Sequence, residues 1–436
     1  MSVSPEHIRP GLATGTHHDD AVPFPRIEAD GPVAHGERDS WLVHAHRSVR
    51  YEVRIRDRVF DLDHTDVLEA GGRGDGGSPR RFVVVDDEVD RVHGERIRGY
   101  LDHHGVDYAM TVLAASEASK EFDTAARVLE RLDAFAIARR SEPVIIIGGG
   151  VLLDVAGLAA SLYRRGTPFL RVPTTLIGLV DAGIGVKTGV NFNGHKNRLG
   201  TYAPADLTLL DRTFLGTLDR RQISNGLGEI LKIALIKDLA LFELLERHGA
   251  ALLDERFQGL TPAGDDAART ALRRAVDGML AELTPNLWED DLERRVDYGH
   301  TFSPTLEMSA LPALLHGEAV CVDMALTTVL ACRRGLVTVA ERDRVLAIMR
   351  TLELPCFHPL LDSELLVRAL ADTVRHRDGR QRLPLPLGIG EVCFVDDVTA
   401  EELATSVEIQ RDLCAPALVA GRLGRQTEDV ETSGRG

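Results

Sequence analysis

Two groups of residues in this chain have the types and spacing to do chemistry. The first surrounds a turn. Val144-Ile-Ile-Ile runs into Gly148-Gly149-Gly150, and Asp154, Thr174, Thr175, Asp181, Lys187, Lys196 and Asn197 follow before Gly200. An apolar run bounded by Pro143 and three glycines, followed from Val151 to Leu162 by apolar residues at helical spacing, predicts a buried strand, a tight turn and a helix. Without a Cβ at the turn, backbone N–H groups and the positive end of the helix can come close to a pyrophosphate. A plain strand-to-helix turn would carry the same glycines, so the turn taken alone leaves both readings open.

The second group is Glu229, His300 and His316, one carboxylate and two imidazoles that together suit a catalytic divalent metal with positions left for water or substrate. The three lie on different segments of a chain with 16 histidines. Spacing therefore does not separate a metal set from helix-end caps. Lys232 stands three residues after Glu229 on one predicted helix, and the apolar neighbours Leu227, Ile230, Leu231, Ile233 and Ala234 argue that this face is turned into a cleft. From Arg375 to Arg382 the chain concentrates cations that could clamp an anion or line a solvated turn.

The elements that must hold these residues fall into two patterns, giving an α/β fold class. Tyr51 to Arg56, Phe82 to Asp86, Tyr108 to Leu113, Val144 to Ile147 and Phe169 to Val172 read as strands alternating with helices up to about Pro204, the pattern of a Rossmann-like parallel sheet. After Pro204 come long amphipathic segments, among them Ser224 to Lys237, Asp238 to Leu253, Ala267 to Leu283 and Glu318 to Arg334, which predict an all-helical domain. The expected organisation is a mobile tail over 1–45, an α/β domain over 46–205, a helical domain over 206–420 and a second tail over 421–436. A cleft is expected where the two domains meet. The segment Gly71 to Ser78 reads as a Gly-rich loop.

At 436 residues, 44% hydrophobic and 27% charged, the composition is that of a globular protein with room for two cores. A net charge of -16 disfavours nucleic acid and anionic membranes and favours a small-molecule partner. With no apolar run near the roughly 20 residues of a membrane span and no secretory pattern at the start, a cytoplasmic location is expected. The cysteines Cys321, Cys332, Cys356, Cys393 and Cys414 form no C-x-x-C pair, so they read as structural thiols and any metal falls to His and carboxylate.

Taken in order, these pieces resemble the sugar phosphate cyclase superfamily, whose best-known member is 3-dehydroquinate synthase. The resemblance runs from about Tyr51 to Asp412. It is carried by Gly-Gly-Gly-Val-Leu-Leu-Asp154, Arg-Gly-Thr-Pro-Phe-Leu-Arg-Val-Pro-Thr-Thr, Val-Asp181-Ala-Gly-Ile-Gly-Val-Lys187-Thr, Gly-His-Lys196-Asn197, Glu229-x-x-Lys232, Gly-His300-Thr-Phe and His316-Gly-Glu-Ala-Val. It implies NAD lined by Gly148, Gly149, Gly150, Asp154, Thr174 and Thr175, with Asp86, Glu117, Lys120, Lys187 and Lys196 also on the cofactor. It implies Zn2+, or Co2+ in its place, on Glu229, His300 and His316. Asp181, Lys187, Asn197, Lys232, Asp297 and His376 are then the catalytic and substrate-pocket residues, and a homodimer is the family's usual assembly.

The departures bear on the substrate. Gly-His300-Thr-Phe-Ser-Pro304 lacks the second histidine of the dehydroquinate synthase motif, Met279 and Asp297 stand where those enzymes have lysine and asparagine, and His376 stands near another of their lysines. A pocket without those cations should bind a substrate carboxylate poorly. A seven-carbon ketose phosphate without a carboxylate, sedoheptulose 7-phosphate, is the expected substrate. A metal-dependent NAD polyol dehydrogenase would share the glycine turn and the metal set. It would have no need of Lys187, Lys196, Asn197 and Lys232 together.

Overall fold

Runs of β-branched residues form the strands that need burial on both faces. In a computed structural model, which describes residues 28–34, 41–46, 48–69 and 79–414, Val83, Val84 and Val85 and the run Val144 to Ile147 are all excluded from solvent. The chain divides into a unit up to Arg50 and one from Tyr51 onward. In the first unit β1 (Glu28–Ala34) pairs antiparallel with β2 (Trp41–His46). This hairpin begins inside the expected tail of 1–45 and ends at His46, and along it Gly, Pro and His interrupt the alternation that would announce a strand.

In the second unit, β3 (Glu52–Ile55), the short helix α1 (Asp66–Glu69), β4 (Arg80–Asp86), α2 (Asp87–His103), β5 (Asp107–Leu113), α3 (Phe122–Phe135), β6 (Val144–Gly148), α4 (Gly150–Leu162) and β7 (Phe169–Pro173) follow in turn. A hairpin of β8 (Lys187–Phe192) and β9 (His195–Tyr202) intervenes before β10 (Leu207–Leu210). Six strands make one parallel sheet in the order β3-β10-β7-β6-β4-β5. The order reverses at β4, whose two neighbours are β5 and β6, and in such sheets the crevice outside the carboxyl ends at the reversal is where ligands bind.

Beyond β10 the chain is helical: α5 (Arg220–Lys237), α6 (Leu239–Asp254), α7 (Pro262–Leu283), α8 (Ser303–Ala310), α9 (His316–Arg333), α10 (Val339–Thr351), α11 (Ser363–His376) and a last helix over 400–414. α5 and α9 are the central helices, with nearly every residue buried. Two findings adjust the expected pattern. β10 lies past the change of architecture placed at 205, because Leu207 to Leu210 is too short a run to register as a strand. The helical region also carries a ribbon of β11 (Leu383–Pro386) and β12 (Val392–Val395), hidden by the alternating prolines. The Gly71 to Ser78 loop and the tail of 421–436 lie outside the described residues. Among the described residues no helix is long and apolar enough to cross a membrane, and all five cysteines are free.

Candidate active site

The nucleotide side is built at the carboxyl ends of β4, β6 and β7. Gly149 is the N-cap of α4 and has no side chain to satisfy the first N–H groups of that helix, which leaves them for a ligand. A Cβ on Gly148 would stand 2.6 Å from the Leu152 side chain and 3.2 Å from the Asp86 Cβ, so the turn depends on glycine to pass. Thr174 and Thr175 follow β7, with the Thr174 N–H on the Gly148 carbonyl at 3.0 Å and Thr175 Oγ1 accepting from Gly178 N at 3.1 Å. Lys120, almost fully buried, donates to Asp154 Oδ2 and to Asn197 Oδ1, both at 2.6 Å. Burial works against its charge, but Asp154 and Glu117 outweigh that and hold the ammonium above its ordinary pKa. Glu117 Oε1 accepts from Asn191 Nδ2 at 2.9 Å, which docks the β8–β9 hairpin beside this crevice.

Glu229, His300 and His316 converge from three elements. Glu229 sits in the middle of α5. His316 opens α9, where the Gly317 N–H donates to Asn225 Oδ1 at 2.7 Å and a Cβ on Gly317 would lie 2.0 Å from the Asn225 carbonyl oxygen. Only glycine lets α9 come this near to α5, one turn before Glu229. His300 lies in a turn held on both sides: Tyr298 Oη reaches Thr328 Oγ1 at 3.0 Å, and Asp323 Oδ2 accepts the N–H groups of Phe302 and Ser303 at 2.6 and 2.9 Å. One ligand atom from each of the three residues falls within 4.8 Å of the others. Glu229 Oε1 is 3.5 Å from His316 Nε2 and 4.0 Å from His300 Nε2.

The donor set fits a divalent ion. Glu229 is 0% exposed, and neither of its carboxylate oxygens accepts a hydrogen bond from protein. Lys232 Nζ lies 2.5 Å from Oε2 and supplies a compensating charge. Burial pushes the Glu229 carboxyl up, but Lys232 and then His316 outweigh it and hold it ionised below the ordinary range. His300 is driven well below an ordinary imidazole by burial and the Lys232 charge, so it is neutral with a lone pair to give. An ionised carboxylate without hydrogen bonds facing two imidazoles is what a metal requires of its ligands.

The pocket beside this set alternates in charge. Asp181 stands on a π-helical turn, Gly178–Ala182, and with Glu229 and Asp297 raises the buried Lys232 ammonium against the pull of burial. Asp297 accepts from Arg377 Nη2 at 2.9 Å and faces Arg294 at 3.3 Å. Burial raises its carboxyl, yet Arg294, Arg377, Lys187 and His300 bring it below the ordinary range. Lys187, half-exposed, pairs with Glu289, which also holds Arg294 at 2.8 Å.

Three expected assignments shift. Lys196, expected on the cofactor, places its ammonium 2.6 Å from both oxygens of Glu307, beside His316. Asn197, expected in the substrate pocket, contacts Lys120, because successive residues of a strand point to opposite faces. His376 is exposed at the end of α11, while its neighbour Arg377, 4% exposed, reaches Asp297. Met279 is buried in the helical core. Glu307, Asp323, Glu289, Arg294 and Arg377 went unnoticed in the sequence. Arg377 alone had a signal there, since it lies within the basic run 375–382.

A glycine turn at a parallel-sheet crevice and a buried carboxylate–dihistidine set define a class of enzyme that holds a dinucleotide and a divalent metal in one site. Residues 110–225 match the model of the 3-dehydroquinate synthase N-terminal region and residues 226–375 that of its C-terminal region. The chain belongs to the 3-dehydroquinate synthase family, within the sugar phosphate cyclases. A 2-epi-5-epi-valiolone synthase from Actinoplanes sp. is 67% identical over 393 residues, 90% of this chain and 98% of the relative. The structure of ValA, the 2-epi-5-epi-valiolone synthase of Streptomyces hygroscopicus subsp. jinggangensis with NAD+ and Zn2+ bound, superimposes with a TM-score of 0.80 at 53% identity, over 85% of this chain and 99% of that one. 2-Deoxy-scyllo-inosose synthase, solved with carbaglucose-6-phosphate, NAD+ and Co2+, shares the fold at a TM-score of 0.66 and 19% identity, over 82% of this chain and 96% of that one.

Proposed function

We propose that this chain converts sedoheptulose 7-phosphate to 2-epi-5-epi-valiolone and inorganic phosphate, the opening step of a route to cyclitol natural products. The observation that carries the reading is Asp297, a partly buried carboxylate within electrostatic reach of His300, Lys232 and Lys187, whose charge occupies Arg294 and Arg377. A substrate carboxylate would meet an anion there with its cations already engaged, whereas the hydroxyls of a ketose without a carboxylate can hydrogen-bond to that anion. Near-full-length identity to 2-epi-5-epi-valiolone synthases supports the same product.

When bound, NAD takes and later returns one hydride while a divalent ion acidifies the substrate hydroxyl. Glu229, His300 and His316 would hold that ion, and the glycine turn with Asp154, Thr174 and Thr175 would hold the dinucleotide. Lys232, buried between Glu229, Asp181 and Asp297, is a fixed cation beside the reacting hydroxyls and stabilises negative charge that develops there. Lys187, half-exposed and paired only at the surface of the pocket with Glu289, is free to exchange that partner for the substrate phosphate. The overall change is redox-neutral: one C–O bond to phosphate breaks, one C–C bond closes the ring, and the hydride taken is given back. Holding the opened chain in one geometry is the protein's part in ring closure. The proposal includes a cytoplasmic homodimer acting on a small sugar phosphate.

Comparing kcat/KM for sedoheptulose 7-phosphate with that for its carboxylated heptulosonate counterpart tests the substrate assignment. Preference for the ketose without a carboxylate is expected, and equal or better use of the carboxylated sugar would overturn it.

A further inference from the structure

Behind the ligand His316 lies a second layer contributed by two elements that share no sequence motif. Glu307, on α8 and nearly sealed from solvent, places Oε2 2.9 Å from His316 Nδ1. The same carboxylate receives the Lys196 ammonium from β9 at 2.6 Å on each oxygen. His316 Nε2 faces the other way, 3.5 Å from Glu229 Oε1. With the Lys196 ammonium donating to both of its oxygens, Glu307 is held as a carboxylate and meets His316 as an acceptor. His316 Nδ1 must therefore carry the hydrogen and donate it to Glu307, which leaves the Nε2 lone pair directed at Glu229. Lys196 Nζ is 3.2 Å from Nδ1, a contact between two donors that share one acceptor.

We propose that Glu307 and Lys196 are positioning residues of the metal site: Glu307 fixes the tautomer and ring orientation of His316, and Lys196 fixes Glu307. The inference rests on Glu229, His300 and His316 being the metal ligands. It gives Lys196 a task on the metal side of the site in place of the cofactor contact expected from sequence. Glu307 and Lys196 cancel each other's charge, so their effect is orientation more than electrostatic attraction for the ion. In Glu307→Gln the amide can turn its NH2 toward Nδ1, selecting the tautomer whose hydrogen blocks Nε2. In Lys196→Met the carboxylate keeps its charge but loses its anchor, and Lys196→Arg restores a cation able to bind both oxygens.

The test uses purified full-length protein stripped of metal, with zinc affinity measured by competition against a chromophoric chelator, the visible spectrum recorded after Co2+ addition, and NAD affinity measured separately. Glu307→Gln is expected to raise the zinc Kd on the order of 10–100-fold and to change the Co2+ spectrum. Lys196→Met should raise it less, Lys196→Arg should recover most of that loss, and NAD affinity should stay close to that of the parent. Should Glu307→Gln fail to fold, the two Lys196 variants decide the matter. Parental zinc affinity and Co2+ spectra in folded variants, or a Lys196→Met protein that loses NAD affinity and keeps its zinc affinity, would overturn the inference. Failure of the unsubstituted protein to take up zinc would instead bring down the metal assignment beneath it.

Discussion

Glu229 Oε2 and Lys232 Nζ stand 2.5 Å apart, one turn along α5, and both side chains are closed to solvent. Each keeps the other charged against burial. Removing one partner of a buried pair leaves an uncompensated charge, which typically costs about 3–5 kcal/mol. Glu229→Gln should therefore destabilise the metal-free protein by about that amount and abolish stoichiometric zinc binding. Denaturant unfolding and metal analysis check both effects, and a variant with parental zinc content would show that Glu229 is not a ligand.

Metal removal should stop phosphate release altogether. Activity is expected to return with Zn2+ or Co2+, since a carboxylate–dihistidine set accommodates either ion, and Mg2+ should not restore it because imidazole ligands suit it poorly. Assays of the chelated protein after each addition make the comparison.

Arg377 and His376 are adjacent but differently placed, and their substitution should separate them. Arg377→Ala leaves the partly buried Asp297 with Arg294 as its remaining close cation. Loss of this contact is expected to lower kcat/KM on the order of 100-fold, equivalent to about 2.7 kcal/mol. The His376 side chain is exposed, and His376→Ala is expected to stay within about fivefold of the parent, under about 1 kcal/mol. The reverse ranking would return His376 to the site.

Asp323 makes stability depend on pH. Burial lifts its carboxyl from 3.8 to about 6, against the opposing N–H groups of Phe302, Ser303 and Thr301. A raised folded-state pKa means that the native protein binds this proton more tightly than the unfolded chain. Its contribution is full below the unfolded pKa, at about pH 3, and is lost as pH rises through about 6, a change of about 3 kcal/mol in all. Asp323→Asn should remove that component, so the stability difference between parent and variant should shift by about this amount between about pH 3 and about pH 7. Parallel denaturant titrations measure it; a pH-independent difference would place the Asp323 pKa at its ordinary value.

The parallel sheet, the central helices and the metal set were legible in sequence because each leaves a local mark: continuous Val/Ile runs, helical apolar periodicity, and motifs in a fixed order. What escaped depends on contacts distant along the chain. Glu307 acquires its partners Lys196 and His316 only when the β8–β9 hairpin docks against α8 and α9. Asp323 reads as one polar residue in an apolar helix until the turn after His300 is seen to hang from it. That Lys196 reaches Glu307 while Asn197 reaches Lys120 was not legible, because the strand β9, with its two-residue alternation, is too polar to announce itself. That Arg377 and not its neighbour His376 reaches Asp297 depends on where α11 ends.

The central claim is a redox-neutral cyclisation of a ketose phosphate that carries no carboxylate. Zinc-loaded protein incubated with sedoheptulose 7-phosphate and a small fraction of an equivalent of NAD should release phosphate far in excess of the NAD supplied, without lasting NADH absorbance. The NMR spectrum should show one product, 2-epi-5-epi-valiolone. NADH accumulating in step with substrate loss and without phosphate release would contradict the claim and make the chain a polyol dehydrogenase on the same fold.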